Sequence, residues 1–411
     1  MYLKWCGALV CYKDSLIIIR KGTRQKIPSM LQGKKILFVS QNAGFSGRVE
    51  RYLYQTANTL RKHGAKVYGA FFTKFPGAQL FQTAFDGIYA PDNLPEDEFD
   101  LACIHKVSSL DYHIRFQKQF NERATLFVHD HEYYCPRFTK SLPITNKGCD
   151  RKYKSQTCSI CAMMQPPFTW KHGLVAEINE KITFFQDRLD VMRRYQHTVV
   201  LSRFLRDNLL FNGFAPNRLN VIFPYVSTPE KMPVRENTST PMILFISQLD
   251  GGKNLEAFLK VLSRLHHSFQ ATIVGDGQYK SILERSVKKM NLEDKVRFHA
   301  LSQPEDYYLH ADIALIPLSP LEPYSLEVAE CAAWGLPVVS SPSRGLAEAL
   351  QNGINGFTES NHDIDAMATS VEKLLGAPEL RQELGANGYK LIQENFSLDQ
   401  FLRKFKKLLG I

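Results

Sequence analysis

The chain has 411 residues, too long for one ordinary hydrophobic core and about the length of two α/β domains. Hydrophobic residues make up 44% and charged residues 22%, and no low-complexity tract or fixed-period repeat occurs, which excludes global disorder and repeat architectures. The net charge of +10 admits anionic partners. Because the basic residues are scattered, phosphate-bearing small molecules and anionic membrane surfaces rank ahead of nucleic acid, which we do not expect as a partner.

Residues 1–34 precede the first recognisable strand and form an N-terminal extension. Two short apolar runs flank Lys13 and Asp14, a pattern that predicts a β-hairpin. No apolar run reaches the roughly 18 residues that a membrane-spanning helix needs, and no small-residue cleavage site follows the apolar part of the extension. We therefore expect a cytoplasmic protein.

Two segments repeat the order of apolar strand, glycine-bearing loop and amphipathic helix. In the first, KILFVS is followed by QNAGFSGR and a helix that ends at Gly64. In the second, MILFIS is followed by QLDGGKN and LEAFLKVLSRLHH. Continuous apolar runs suit parallel strands that are covered on both faces. We therefore predict an α/β protein with two Rossmann-like, doubly wound domains that face a central cleft.

The segment STPEKMPVRENTST, at 227–240, has the Pro, Ser and Thr content of a linker and sets the predicted domain boundaries. The N-terminal Rossmann-like domain is predicted over 35–226, with a cysteine-rich insert at 135–161. The C-terminal Rossmann-like domain is predicted over 241–395. Residues 396–411 are predicted to form a C-terminal helix that could cross back to the N-terminal domain.

Two candidate catalytic residues, His129 and Asp130, directly follow the predicted strand TLFV. Active-site groups of such folds collect at the carboxyl ends of the strands, which favours a functional role. A lone histidine is by default structural, so both interpretations stay open. His105, after DLACI, is a weaker candidate by the same argument.

Four of the eight cysteines lie within 27 residues: Cys135, Cys149, Cys158 and Cys161. The last two form a C-x-x-C pair, a spacing that lets two thiolates bind one tetrahedral metal ion. The pattern leaves two interpretations open, a structural zinc or iron–sulfur site and four free or transiently paired thiols. Disulfides are disfavoured in a reducing cytoplasm.

The stretch EPYSLEVAECAAWGLP places three carboxylates among apolar residues. If a helix begins near Tyr324 or Ser325, Glu322 lies in the preceding loop and Glu330 lies in the helix. The free backbone N–H groups of the first helical turn form an anion site, and ionised carboxylates accept hydrogen bonds from hydroxyl groups. This combination suits a sugar that is joined to a diphosphate. Glu327 is expected to be solvated or locally paired.

These residues resemble the signature of the retaining glycosyltransferases of the GT-B fold, family four, also called glycosyl transferases group 1. The family pattern Glu-x7-Glu, in a stretch such as E-G-F-G-L-x-x-x-E-A-x-A-x-G-x-P-V-V, matches E-P-Y-S-L-E-V-A-E-C-A-A-W-G-L-P-V-V at Glu322, Glu330, Gly335 and Pro337, among other positions. The resemblance covers nearly all of 243–405, through ILFISQLDGGKN, IVGDGQYKSIL and DKVRFHA, and the N-terminal half more loosely.

The resemblance implies that the C-terminal domain binds a nucleotide-sugar donor and that the N-terminal domain binds the acceptor. Glu330 would bind the ribose hydroxyls, Glu322 would bind hydroxyls of the donor sugar, and Lys253 would neutralise the departing phosphate. It also implies donor contacts from Gly47, which would lie in a loop under the acceptor or the transferred sugar, and from Phe298 and His299 near the base. At the diphosphate it implies contacts from Gln248, Pro323, Tyr324, Ser325 and Leu326.

The chain departs from the family pattern at Gln248, where the family usually has an arginine. Loss of a guanidinium removes a bidentate, charge-assisted contact to the diphosphate and leaves Lys253 as the cation there. Arg203 and Arg344 are candidate substitutes.

The resemblance implies hexosyl transfer from a UDP-, GDP- or ADP-sugar, with retention at the anomeric carbon and without a catalytic metal. The acceptor would be a polysaccharide, a glycolipid or a lipid-linked sugar of the cell envelope, with peripheral contact at the anionic inner face of the membrane. Two alternatives stay open: a sugar-nucleotide epimerase of the same fold, and a catalytically inactive relative that binds a sugar nucleotide or a partner.

Overall fold

The computed structural model describes residues 31–410, with gaps at 46, 96, 144–147, 165–173, 250–254, 301–303, 319–321 and 361–362. The predicted N-terminal hairpin and Lys253 therefore lie outside the described residues. The side chains of Met163 and of residues 174–182 are also outside them.

The first domain is built on a seven-stranded parallel sheet. Its strands are β1 (Lys35–Ala43), β2 (Lys66–Lys74), β3 (Gly87–Tyr89), β4 (Leu101–Ile104), β5 (Ala124–Val128), β6 (His197–Val200) and β7 (Leu219–Val221), in the spatial order β3-β2-β1-β4-β5-β6-β7. Every residue of β4 and β5 is buried, as expected for apolar parallel strands. The order reverses between β1 and β4, which creates a crevice at the carboxyl ends of these strands.

The helices of the first domain are α1 (Arg48–Lys62), α2 (Ala78–Gln82), α3 (Leu110–Phe120), α4 (Ser155–Met163), α5 (Leu174–Arg193) and α6 (Arg203–Phe211), with 3₁₀ turns at Asn121–Arg123 and Pro216–Arg218. Helix α1 buries Leu53, Ala57 and Leu60 at helical spacing and so covers the sheet with one face. It is followed by Gly64 at a φ of 94°, the left-handed conformation that favours glycine after a helix.

The second domain has a six-stranded parallel sheet in the order β10-β9-β8-β11-β12-β13. Its strands are β8 (Met242–Ile246), β9 (Gln270–Val274), β10 (Val296–His299), β11 (Ile313–Ile316), β12 (Val338–Ser340) and β13 (Gly356–Thr358). Its helices are α7 (Leu255–Leu262), α8 (Lys280–Lys289), α9 (Pro304–His310), α10 (Leu326–Ala333), α11 (Ile364–Leu375) and α12 (Pro378–Asn395), and the chain ends with α13 (Leu398–Leu408). The strand order reverses between β8 and β11, so the loops after these strands share one crevice.

The two sheets confirm the predicted α/β class with two doubly wound domains. Within the described parts of the chain, no helix combines the length and the apolar character that crossing a membrane requires.

The chain returns to the first domain at its C-terminal end. Helix α13 places Phe401, Leu402 and Phe405 in the hydrophobic core of the first domain. Just before it, Phe396 stacks on Phe223 with ring centroids 4.9 Å apart. The core of the first domain is therefore completed by residues that follow the second domain in the sequence.

Replacing Phe405 by Ala tests this docking. The side chain is fully buried, so its loss leaves a cavity and should lower the free energy of unfolding of the first domain by about 3–5 kcal/mol. Arg403→Ala, on the exposed face of the same helix, is the matched control and should change it by less than about 0.5 kcal/mol. Urea denaturation followed by circular dichroism measures both, and equal effects would contradict the docking.

Candidate active site

The segment from Glu322 to Ser325 lies in the crevice of the second domain, after β11 and directly before α10. Ser325 caps α10, because its Oγ accepts a hydrogen bond from the Val328 N–H at 3.4 Å. The Ser343 hydroxyl donates to the Glu322 carbonyl at 2.7 Å. A Cβ added at Gly345 would approach the Pro323 carbonyl oxygen to 2.1 Å, so a glycine is required there. The backbone of the segment is therefore closely packed against residues 343–345 of the second domain.

The same segment also contacts the first domain. The Ser202 hydroxyl, at the start of α6, donates to the Pro323 carbonyl at 2.9 Å. Tyr324 packs against the hydrophobic core of the first domain. The loop that carries the signature residues is therefore held by both domains.

Arg48, in the first turn of α1, reaches across from the first domain and contacts the Glu322 carboxylate. The Glu322 side chain is 5% exposed, whereas that of Arg48 is 52% exposed. Oε1 of Glu322, the oxygen that Arg48 contacts, has no other partner among the described residues, so the charge of Arg48 compensates its burial. The buried carboxylate is thus paired with a half-exposed cation of the first domain.

The other two carboxylates of the signature have protein donors. Glu327 accepts hydrogen bonds from the hydroxyls of Ser247 and Ser325, both at 3.4 Å, which matches local pairing. Glu330 accepts one from the Tyr308 hydroxyl at 2.8 Å. Burial, and then the charge of Glu327, raise the pKa of Glu330 to about 7. Glu330 is therefore poised between its neutral and its ionised form near neutral pH.

Three of the predicted donor contacts lie at the ends of other strands of the second domain. Gln248 follows β8 and is exposed. At the end of β10, Phe298 packs against the core of the second domain. His299 is exposed, with its ring 5.3 Å from that of Tyr307. An aromatic surface for a base is thus available beside the crevice.

The two arginines predicted as substitutes at the phosphate site have other contacts. The backbone N–H of Arg203 donates to the Glu348 carboxylate, and its guanidinium lies over the Phe223 ring, 5.6 Å from the centroid. Arg344 forms an ion pair with Asp150 of the cysteine-rich insert at 2.7 Å. Both arginines therefore link the two domains.

The glycine loop before α1 has one position that needs glycine, and it is Gly44 rather than Gly47. Gly44 has a φ of 127°, and an added Cβ would approach the Phe75 carbonyl oxygen to 2.9 Å. Gly47 is extended, at a φ of −174°, and begins α1 without a side-chain cap. Because glycine has no side chain, Gly47 cannot accept a hydrogen bond from the first N–H groups of α1.

His129 is buried after the end of β5 and pairs with another histidine. Its Nε2 lies 2.9 Å from Nδ1 of His105, and its ring packs edge-on against Tyr52 at 5.1 Å. Burial lowers the pKa of His129 to about 4 and that of His105 well below its ordinary value. Both imidazoles are therefore neutral at pH 7, and one N–H is shared between them.

Asp130 accepts a hydrogen bond from the backbone N–H of Glu132 at 2.8 Å and one from Lys106 at 3.5 Å. The sequence did not single out Glu132, a buried carboxylate that lies 3.9 Å from Lys106 and 3.7 Å from Arg188. Burial raises the pKa of Glu132 to about 7. Two carboxylates, Asp130 and Glu132, and the cations that contact them therefore lie beside the histidine pair.

The four cysteines of the insert are free thiols. The backbone N–H of Lys140 donates to Sγ of Cys135 at 3.3 Å, and that of Lys154 donates to Sγ of Cys158 at 3.4 Å. The described residues include all four cysteines and contain no group of three or more His, Cys, Asp or Glu side chains that could hold a metal ion. The predicted zinc or iron–sulfur site is therefore not supported by this arrangement.

The comparisons with known proteins assign this architecture. Residues 227–391 match the family of glycosyl transferases group 1. This part of the chain is therefore similar to the glycosyl transferases of group 1. The chain is 22% identical to an uncharacterized glycosyltransferase of Haemophilus influenzae, over 92% of this chain and all of that one. It is 23% identical to the lipopolysaccharide 1,6-galactosyltransferase of Escherichia coli, over 51% of this chain and 58% of that one.

A solved structure extends the likeness to both domains. The Anabaena protein Alr3699/HepE, in complex with UDP, superimposes with a TM-score of 0.66 at 16% identity, over 92% of this chain and 99% of that one. The described part of the chain therefore has the two-domain GT-B fold. The chain spans little more than half the length of the Escherichia coli relative and the full length of the Haemophilus influenzae relative.

A pH titration tests the histidine pair. In the unfolded chain both imidazoles bind protons below about pH 6.5, whereas folded His129 stays neutral down to about pH 4. Acidification through this window therefore favours unfolding, by up to about 1.4 kcal/mol per pH unit for each histidine. We expect NMR signals of both rings, assigned with His129→Asn and His105→Asn, to stay unchanged between pH 8 and about 5. A midpoint near 6.5 for either ring would contradict their burial.

Proposed function

We propose that this protein is a retaining, metal-independent hexosyltransferase that uses a nucleoside-diphosphate sugar. The observation that carries the proposal is the Glu322–Ser325 segment, which presents a helix N-terminus between two carboxylates at the strand-order reversal of the second sheet. In the proposed complex the diphosphate accepts hydrogen bonds from backbone N–H groups between Tyr324 and Leu326. Glu330 binds the ribose and Glu322 binds the sugar.

The remaining donor contacts follow from the same placement. Phe298 and His299 lie near the base, and Lys253 neutralises the departing phosphate. Gln248 follows β8 in the shared crevice and offers an uncharged amide to the diphosphate. We favour a uridine nucleotide, because Alr3699/HepE was solved with UDP and with UDP-glucose.

In the proposed reaction, the bond between the anomeric carbon and the diphosphate oxygen breaks, and a bond to an acceptor hydroxyl forms on the same face. The acceptor proton leaves with the diphosphate. Charge builds on the departing oxygen, where helix N–H groups and Lys253 stabilise it by fixed electrostatics. Neutral His129 and the Asp130 carboxylate face the sugar from the first domain, where His129 donates or accepts a hydrogen bond and Asp130 orients the acceptor.

We assign the acceptor to the first domain, and propose a polysaccharide, glycolipid or lipid-linked acceptor of the cell envelope. The support is the similarity to enzymes named for lipopolysaccharide and for amylovoran synthesis. Such acceptors imply peripheral contact with the inner face of a membrane, which is part of the proposal.

The decisive experiment separates transfer from the two alternatives. Purified protein is incubated with UDP-, GDP- and ADP-sugars, nucleotide release is measured, and the sugar is examined by NMR. Release of nucleotide with every ring stereocentre other than the anomeric carbon unchanged supports transfer. A changed configuration elsewhere in the ring would show an epimerase, and binding without turnover would show an inactive relative. Glu322→Gln should reduce release at least about tenfold, whereas Glu379→Gln, on the exposed face of α12, should not.

The raised pKa of Glu330 predicts a pH dependence of donor binding. An ionised carboxylate accepts two ribose hydroxyls better than a carboxylic acid, so affinity should rise as pH passes about 7. Between pH 6 and 8 the ionised fraction rises about tenfold, and affinity for UDP-glucose should follow. Tyr308→Phe removes a hydrogen bond that lowers this pKa and should move the midpoint upward.

Isothermal titration calorimetry measures this dependence. Glu330→Gln should bind UDP-glucose about 10- to 100-fold more weakly and without the step near pH 7. A step of unchanged size in that variant would assign the titration to another group.

A further inference from the structure

We propose that Arg48 is the cation that binds the donor diphosphate in place of the arginine missing at Gln248, and that its contact with Glu322 is the donor-free position of this cation. The inference rests on the proposed function and adds a specific residue to it. The cation comes from the first domain, so donor binding would join the two domains.

The first step is the need for charge. A nucleoside diphosphate sugar carries two negative charges, and the residue that follows β8 at the phosphate site is the uncharged Gln248, which is exposed. Helix N–H groups supply partial charge only. A bidentate guanidinium is the strongest protein partner for a phosphate group. Lys253, assigned above to the departing phosphate, supplies one full positive charge, so the two negative charges of the donor call for a second cation.

The second step is the choice among the arginines. Arg203 lies over the Phe223 ring, which it shares with Lys404, and Arg344 is paired with Asp150. Arg48 contacts Glu322, the residue directly before the proposed diphosphate segment. Its side chain is 52% exposed, so a ligand in the cleft can reach it. Arg48 also influences Tyr324, whose pKa its charge lowers against the effect of burial.

The third step is the state of Glu322. Its carboxylate is buried, and Oε1, the oxygen that the Arg48 guanidinium contacts, has no other partner among the described residues. Such a carboxylate is stable only while a cation or a set of donors faces it. Hydroxyls of a donor sugar are such donors, so a bound sugar releases Arg48 from Glu322. The released guanidinium then lies next to the diphosphate of the same donor.

The surrounding charges agree with this exchange. Arg51, one turn further along α1, is exposed, and its charge acts on Glu330. Glu50, between the two arginines in sequence, is buried and accepts a hydrogen bond from Asn42 at 3.2 Å. Gly47 provides no side-chain cap for α1, so the N–H groups of its first turn have no acceptor from that residue. The start of α1 therefore combines two exposed arginines with one buried carboxylate that is already hydrogen-bonded.

The test is the affinity of the full chain for UDP and for UMP, measured by calorimetry at low salt. Arg48→Gln should weaken UDP binding about 10- to 100-fold and UMP binding less than about threefold, because the second phosphate is the proposed partner. Arg48→Lys should recover part of the UDP affinity. Arg115→Gln, an exposed arginine of the first domain paired with Asp92, is the matched control and should leave both affinities unchanged.

A second variant checks the exchange. Glu322→Gln removes the resting partner of Arg48 and changes no proposed contact to UDP, which lacks the donor sugar, so UDP affinity should stay equal or rise severalfold. Melting temperatures show whether each variant is folded. Unchanged or tighter UDP binding by Arg48→Gln, an equal loss for UMP and UDP, or weaker UDP binding by Glu322→Gln would overturn the inference alone. If the unmodified protein binds no nucleotide of the panel, the proposed function fails as well.

Discussion

A carboxylate that has lost its water must face a cation or several donors, and this constraint governs the arrangement of the cleft. Glu322 is buried in the segment that joins β11 to α10, and the Arg48 guanidinium compensates it from the other domain. The Ser202 hydroxyl and the Tyr324 ring attach the same segment to the first domain. The position of the Glu322–Ser325 segment therefore depends on contacts with both domains. Helix α13, which packs into the core of the first domain after the second domain ends, also joins the two domains.

Burial has shifted the other acids of the cleft in the same direction. The pKa values of Glu132, Glu330 and Glu348 are each raised to about 7, in each case mainly by loss of water. The buried histidines are shifted toward their neutral forms. Burial therefore favours the neutral forms of these five side chains. A ligand that brings two phosphates and several hydroxyls suits this environment.

Most of the fold could be predicted from the sequence, because continuous apolar strands and amphipathic helices are local patterns. KILFVS and MILFIS became the central strands β1 and β8, and the helix after the first ends before Gly64 as the pattern indicates. The start of a helix near Ser325, with Glu322 before it and Glu330 within it, could also be predicted, since it depends on one short stretch of chain. The contacts between the two domains could not be predicted from the sequence. Arg48 is 274 positions before Glu322 in the sequence, so only the folded chain shows that they meet. The cysteine spacing suggested a metal site that the described side chains do not form.

The central claim is that the space between Arg48 and the Glu322–Ser325 segment binds a nucleoside diphosphate. A crystal structure of the protein with UDP tests it most directly. The account predicts the diphosphate within hydrogen-bond distance of N–H groups at the start of α10 and of the Arg48 guanidinium, with the ribose at Glu330. UDP bound elsewhere, or bound at this segment with Arg48 still on Glu322, would contradict it.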